Sequence, residues 1–419
     1  MNIFRLSFRN MTSRPLSTIL SLVLLTLGVG MIALLLQVNR HIQQQMENNV
    51  RGIDMVVGAK GSPLQLILSA IYHIDAPTGN ISRLEAEELQ KNRLVASGIP
   101  LSYGDTYRGF RIVGTNHQYP ELYEAEVASG KLWHEPFEVT IGATVANTLE
   151  LKTGDTFTGA HGLVEGGETH EEHAYLVVGI LGYTNSVVDQ LILTATESVW
   201  EVHHYEEKED QTSAQEENHE HEAHGDNHAD EGHEEHQAEH EITAMLVKFR
   251  SPMGMVQLPR MVNENTNMQA AVPAYEISRL FSLMGVGIDT LSTIALVIMA
   301  VSGLSVFISL YNALKDRQYE MALMRTYGAT RWQLVWLVLQ EGLVLTLTGF
   351  LLGMLFSRLG LWLVSRLMET TYHYSFSGWG LVMEEWWLLA TALVIGLLAS
   401  LLPAFRVFRI NISKTLADA

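Results

Sequence analysis

Nine histidines fall between His203 and His240, interleaved with carboxylates, and the chain concentrates its metal-binding residue types there. His219, His221, His224 and His228 form one group, and His233, His236 and His240 form a second. Imidazole and carboxylate suit zinc, nickel or copper(II), and neutral imidazole is available near pH 7. The run lacks the fixed intervals and rigid flanks of a structural zinc site, so it reads equally as a solvated insertion. His161, His170 and His173 make a smaller group on a hairpin. The absence of cysteine removes disulfides, thiolate ligands and cysteine nucleophiles. No Ser/His/Asp set or carboxylate pair stands out, so no catalytic residue is assigned. Gly58, Lys60 and Gly61 lack the spacing of a phosphate-binding loop, so the chain is not expected to hydrolyse ATP. One carboxylate, Glu341, lies inside an otherwise apolar run, where charge is costly and often functional.

The elements that must position these groups are of two kinds. A mean hydropathy of +0.11 is too high for an ordinary soluble enzyme and too low for a chain made only of membrane helices. The net charge of -19 is local: 16 Asp and Glu stand between Glu201 and Glu241 against Lys208 alone, leaving the remainder near neutral. Four apolar runs are long enough to cross a bilayer: Ser17 to Gln37, Leu291 to Leu310, Leu334 to Phe356 and Trp386 to Phe405. The first follows Arg5, Arg9 and Arg14 and lacks a small-x-small cleavage site, so it reads as a retained signal anchor. Gly303, Gly349, Gly353 and Gly396 allow close helix approach, and Trp332, Trp336, Trp386 and Trp387 mark run ends.

Basic residues fix the expected orientation. Arg5, Arg9 and Arg14, then Lys315, Arg317, Arg325 and Arg331, then Arg406, Arg409 and Lys414 flank the runs on one side, which the positive-inside rule assigns to the cytoplasm. The sequence thus predicts a cytoplasmic amphipathic N-terminus over 1–16, membrane helix 1 over 17–38 and an extracytoplasmic segment over 39–285. Residues 286–419 hold helices 2 (290–312), 3 (333–357) and 4 (385–407), with a surface helix over 313–329 and a short outer loop from about 358 to 384. The fold class is membrane α-helical, four spans, with an α+β domain inserted between helices 1 and 2. Asn39 to Val50 and about Thr266 to Leu291 read as helical extensions forming a stalk. Phe137 to Ile141, Tyr175 to Leu181, Leu191 to Leu193 and Ala244 to Phe249 read as strands, and Arg83 to Lys91 as a helix. The His/Glu-rich insertion, 201–241, cannot build a core.

Lys315 to Arg331 is the stretch most suited to contact a partner. Its first part is amphipathic, Gly328 can end a helix in the left-handed conformation, and Thr330 can cap the next. Such a short helix at the membrane surface serves either as a docking element or as a plain charged loop that fixes topology. Glu341 reads either as a functional carboxylate at membrane depth or, equally, as a group near this surface paired with Arg331 or a helix partner.

The run Glu320, Arg325, Gly328, Ala329, followed by a span with Glu341, Gly349 and Gly353, resembles the coupling loop of FtsX-like permeases of the MacB type. Arg9, Asn10, Arg14 and Pro15 before the first run are similar too. So are Ile141, Gly142, Val145, Ala146, Leu149, Leu151, Gly154, Asp155 and Phe157, then Val177 to Leu181, to that family's periplasmic core domain. Near the end Pro403, Ala404, Arg406 and Arg409 fit, while Asn411 and Ile412 stand where Asp-Pro is usual.

The resemblance implies a permease subunit of a mechanotransmission (type VII) ABC transporter in the bacterial inner membrane, with both termini cytoplasmic. A separate ATPase would bind ATP and magnesium, and a second permease subunit, identical or not, would complete the dimer. Asp316, Arg317, Glu320, Met324, Arg325, Gly328 and Ala329 are the expected ATPase-coupling positions. Export or extraction of a lipid, lipoprotein or small toxic compound, with a periplasmic adaptor or lipoprotein as further partner, is one reading. Signalling to an extracytoplasmic partner is another, and zinc handling through the histidine run is a third. No nucleic-acid partner is expected.

Overall fold

The computed structural model describes residues 15–160, 169–202, 240–372, 380 and 383–406. Arg5, Arg9, Arg14, Arg409, Lys414, His161 and the histidines from His203 to His236 lie outside them. In chain order, α1 (Pro15–Val50) leads to β1 (Met55–Ala59), α2 (Pro63–Ala70), β2 (Ile81–Ser82) and α3 (Arg83–Gln90). Next come β3 (Val95–Tyr107), β4 (Phe110–Gly114), α4 (Gln118–Leu122), β5 (Val127–Gly130), β6 (Glu138–Ile141) and α5 (Ala143–Leu149). Then follow β7 (Thr156–Ala160), β8 (Thr169–Leu181), β9 (Leu191–Thr194), β10 (Glu241–Ile242), β11 (Ala244–Phe249), α6 (Pro252–Asn265) and β12 (Met268–Ala271). Four further helices close the described chain: α7 (Pro273–Asp316), α8 (Gln318–Thr326), α9 (Arg331–Tyr372) and α10 (Met383–Arg406). The chain forms two units, Gln44–Phe281 and the remainder.

The Gln44–Phe281 unit is built on a ten-stranded mixed sheet in the order β12-β1-β11-β3-β4-β9-β6-β8-β5, with β7 pairing to β3 and β8. β1 is buried at four of five positions because it lies between β11 and β12. Where sequence suggested a helical stalk from Thr266, Met268–Ala271 instead forms an edge strand, register Val56↔Ala271 to Ala59↔Met268. The helix begins only at Pro273, whose ring presets the backbone angle of a first helical residue. His170 and His173 belong to β8. At the base of the acidic insertion, β10 pairs with β2, Trp200 stacks on His240 with centroids 4.4 Å apart, and the Arg83 guanidinium lies 5.0 Å from the Trp200 ring.

The last turn of α1 enters this unit's core. Met46 and Val50 pack with Ile53, Tyr72, Tyr119, Ile277 and Phe281. A helix end leaves its final carbonyls without intrahelical partners. Here Tyr72 Oη donates to Met46 O at 3.2 Å and Tyr123 Oη to Asn49 O at 2.9 Å. The Asn49 side chain accepts from Val187 N at 2.9 Å, and Gln45 Nε2 donates to Asn185 O at 3.3 Å. The loop that supplies these contacts is shaped by buried Asp189, whose carboxylate accepts from Thr184 N, Thr184 Oγ1 and Asn185 N.

In the membrane unit, α1, α7, α9 and α10 are each long and apolar enough to cross a bilayer. Their contacts are made at small residues. A Cβ on Gly349 would sit 2.4 Å from Leu25 Cδ2, and one on Gly353 would sit 2.9 Å from Val29 Cβ, so α1 lies in a groove of α9 that only glycine leaves open. Gly396 likewise admits Thr346 between α10 and α9. Ser21 and Ser305 hydroxyls meet at 2.8 Å between α1 and α7. α9 continues to Tyr372, so the expected outer loop from 358 is helical over its first part.

Below α2, His73 adopts the left-handed conformation, φ 55°, and is buried with its Nε2 2.9 Å from Tyr119 Oη. Tyr103 meets it edge-on at 5.4 Å and donates its hydroxyl to Ser69 O, and Arg111 lies 5.1 Å over the Tyr103 ring while donating to Asp75 O at 2.6 Å. Burial, reinforced by the Arg111 charge, pushes the His73 imidazole down to about 3. The unfolded chain therefore takes up a proton below about 6.5 that the folded chain refuses, so this stability is complete above that pH and is lost as pH falls toward 3. Melting of the full chain in nanodiscs, followed at Trp133, is expected to shift down between pH 7 and pH 5. His73→Asn, which tolerates the left-handed backbone and does not titrate, is expected to flatten that slope.

Candidate functional site

The candidate site is the joint between α7, α8 and α9. Arg317 breaks the helix with φ -103° and ψ 16°, and α8 starts anew at Gln318. Met321 and Ala322 are buried beneath α8, where Met321 packs with Leu314, Leu334, Val335, Val338 and Ala404, and Met324 lies against the cluster. Gly328, at φ 95°, ends the turn: Gly328 N donates to Arg325 O at 3.1 Å and Ala329 N to Met324 O at 3.0 Å. Only glycine adopts that angle without strain. Thr330 then caps α9 reciprocally with Gln333: Gln333 N reaches Thr330 Oγ1 at 3.3 Å, and Thr330 N reaches Gln333 Oε1 at 2.8 Å. At the far end of α10, Arg406 lies 4.4 Å over the Tyr311 ring of α7 and ties that helix to the joint.

A cavity of about 30 Å³ opens between these helices, lined among others by Leu310, Arg317, Glu320, Met324, Val338 and Glu341. Four of the residues singled out from sequence thus converge: Arg317, Glu320 and Met324 from the joint, and buried Glu341 from α9. Glu341 shares this cavity with Arg317, whereas sequence had offered Arg331 as its first partner. Asp316, Arg325, Gly328 and Ala329 do not line it. Asp316 and Gly328 are exposed, while Arg325 and Ala329 are half-buried.

Sequence reading overlooked the outward face of α8. Tyr319, Leu323 and Tyr327 are four residues apart and stand 48%, 40% and 84% exposed, with Trp332 and Trp336 also exposed at the start of α9. Residues at that interval share one helix face, so the stripe was present in the sequence; which face was covered was not. Also overlooked were Gln37, Arg358 and Glu385, which meet inside the membrane unit. Of the seven histidines named as ligands, His240 alone is described, and the described residues contain no group of three or more His, Cys, Asp or Glu placed to hold a metal.

Residues 18–243 match the model of the MacB-like periplasmic core domain, and residues 292–412 match that of the FtsX-like permease C-terminal region. No curated protein sequence matches the chain. Among solved structures, the periplasmic region of MacB from Actinobacillus actinomycetemcomitans is similar over 57% of this chain and 98% of its own, at 11% identity and a TM-score of 0.34. The extracellular domain of the noncanonic ABC-type transporter YknZ from Gram-positive bacteria is similar over 52% and 98%, at 11% identity and a TM-score of 0.29. The chain belongs to the MacB-type family of FtsX-like ABC permeases, with four candidate membrane helices and a MacB-like periplasmic domain.

Proposed function

We propose that this permease couples ATP hydrolysis by a separate ABC ATPase to conformational work on the periplasmic side, with α8 as the docking helix. The observation that carries the reading is the pairing of two faces on α8. Its inner face is fixed by Met321, Ala322 and the Glu341 cavity, and its outer face offers the Tyr319, Leu323, Tyr327 stripe. An exposed aromatic stripe on a rigidly seated helix suits a groove on a soluble partner, where such side chains supply most of the binding energy. Glu320 and Arg325 add charges that select the partner. Both ends of the chain and α8 then face the cytoplasm, as the positive-inside count requires. α1 and α7 each run unbroken as single helices between the two units and would carry movement to the periplasmic domain. A second permease subunit completes the assembly. The work done is export or extraction of a lipid, lipoprotein or small toxic compound, or activation of an extracytoplasmic partner.

A second reading, zinc capture, draws on the base of the histidine run. His240, its last histidine, is exposed and stacked on Trp200, so the fold presents one end of the run to solvent at a fixed place.

Serine at positions 319, 323 and 327 together is expected to weaken capture of the ATPase at least tenfold, since each lost apolar anchor contributes roughly 1–2 kcal/mol. Charge reversal at Glu320 with Arg325 is expected to abolish co-purification; intact binding in both variants would sink the docking assignment. For the second reading, deletion of residues 203–239 is expected to remove zinc binding measured by calorimetry and to lower zinc tolerance. Unchanged binding would leave the run as a solvated insertion.

A further inference from the structure

Glu385 is 2% exposed and Gln37 is 1% exposed, and both lie within the membrane unit. Gln37 Nε2 on α1 donates to Glu385 Oε1 at 2.7 Å, and Arg358 Nη2 on α9 donates to Glu385 Oε2 at 3.0 Å. Arg358 Nη2 also donates to Gly380 O at 2.9 Å. One carboxylate in the first turn of α10 is thus shared between two other helices, one oxygen to each. A buried carboxylate is tolerated only when its charge is compensated, and Arg358, whose side chain is 11% exposed, does this. The amide of Gln37 is not needed for that compensation. Among the described residues its Oε1 has no partner, and the Gln37 side chain is held through its bond to Glu385. Three residues further along α1, on the same face, Arg40 pairs with Glu384 at 3.0 Å in an exposed ion pair.

We propose that Gln37 and Glu385 are positioning residues forming a releasable latch, which holds the end of α1 that leads into Gln44 against α9 and α10. The division of labour is physical. Release of α1 breaks a neutral donor's bond to Glu385 and a solvent-screened surface pair, while the Arg358–Glu385 pair stays made. No charge is stranded in either position, so α1 can move without the penalty that usually makes buried ionic contacts rigid. Had Arg40 or another cation been the buried partner from α1, release would have left Glu385 uncompensated. The latch is a property of the permease alone and stands apart from whether an ATPase docks on α8.

The chain contains no cysteine, so two introduced cysteines report without background. With Arg40→Cys and Glu384→Cys in the full-length protein in nanodiscs, a short bismaleimide is expected to cross-link the pair readily. Adding Gln37→Leu is expected to slow the reaction by up to about fivefold, the shift in the closed–open equilibrium that follows from losing one hydrogen bond, with particle homogeneity and melting unchanged. Ser21→Ala, which removes an α1 contact to α7 instead, is expected to leave the rate as it was. Should Gln37→Leu fail to fold, Gln37→Asn keeps the amide but shortens its reach, and the same slowing is expected. A folded Gln37 variant that cross-links at the parent rate, or equal slowing by Ser21→Ala, overturns the proposal.

Discussion

The carbonyls at the C-terminal end of α1 are the constraint around which the periplasmic domain is organised. Four backbone acceptors at a helix end must find donors; Arg51 N serves Asn48 O at 3.4 Å and Ile53 N serves Val50 O at 3.0 Å, and further donors come from elsewhere in the domain. The domain supplies them: Tyr72 and Tyr123 cap Met46 and Asn49, and Asp189 shapes the loop whose Val187 amide meets the Asn49 side chain. These donors come from the turn after α2, the turn after α4, and the segment before β9. The same core includes Ile277 and Phe281 from the start of α7. The two helices that leave the domain are therefore set in one hydrophobic cluster, rather than attached at separate points on its surface.

At the other end of α7 the design is the reverse. Arg317 interrupts the helix, Gly328 turns it, and the short α8 between them is seated by apolar contacts and by the small cavity that Glu341 lines. A helix so short has little intrinsic stability, and its geometry is borrowed from the neighbours on which it rests. α8 therefore rests on α7 and α9 together, through Met321 and its cluster.

What could be read from sequence was what depends on local chemistry. Gly328 and Thr330 announce a stop and a start because left-handed glycine and a side-chain cap act within a few residues. The four apolar runs are visible because bilayer thickness sets a length. Met268–Ala271 was read as helix because its strand character comes only from pairing with β1, more than 200 residues earlier, a partner no local window contains. The apolar run ends at Phe356, yet α9 continues to Tyr372, and Arg358 within it pairs with Glu385 at 3.0 Å, a partner distant in sequence. The stripe on α8 was spelled out in the spacing of Tyr319, Leu323 and Tyr327, yet exposure is a tertiary property and only the fold reveals it.

The position of β1 also dictates the order in which the domain can be made. Among the described residues β1 pairs with β11 and β12, Met55 with Val247 and Val56 with Ala271, so its strongly apolar segment has no native partner until the chain has been translated past β11, which ends at Phe249. At synthesis rates of roughly 5–20 residues per second that interval is on the order of 10–40 s. During it, a sticky strand sits immediately beyond a membrane helix that has already been inserted. Biogenesis of this permease should therefore be slow and sensitive to holding factors on the far side of the membrane, with premature aggregation its characteristic failure.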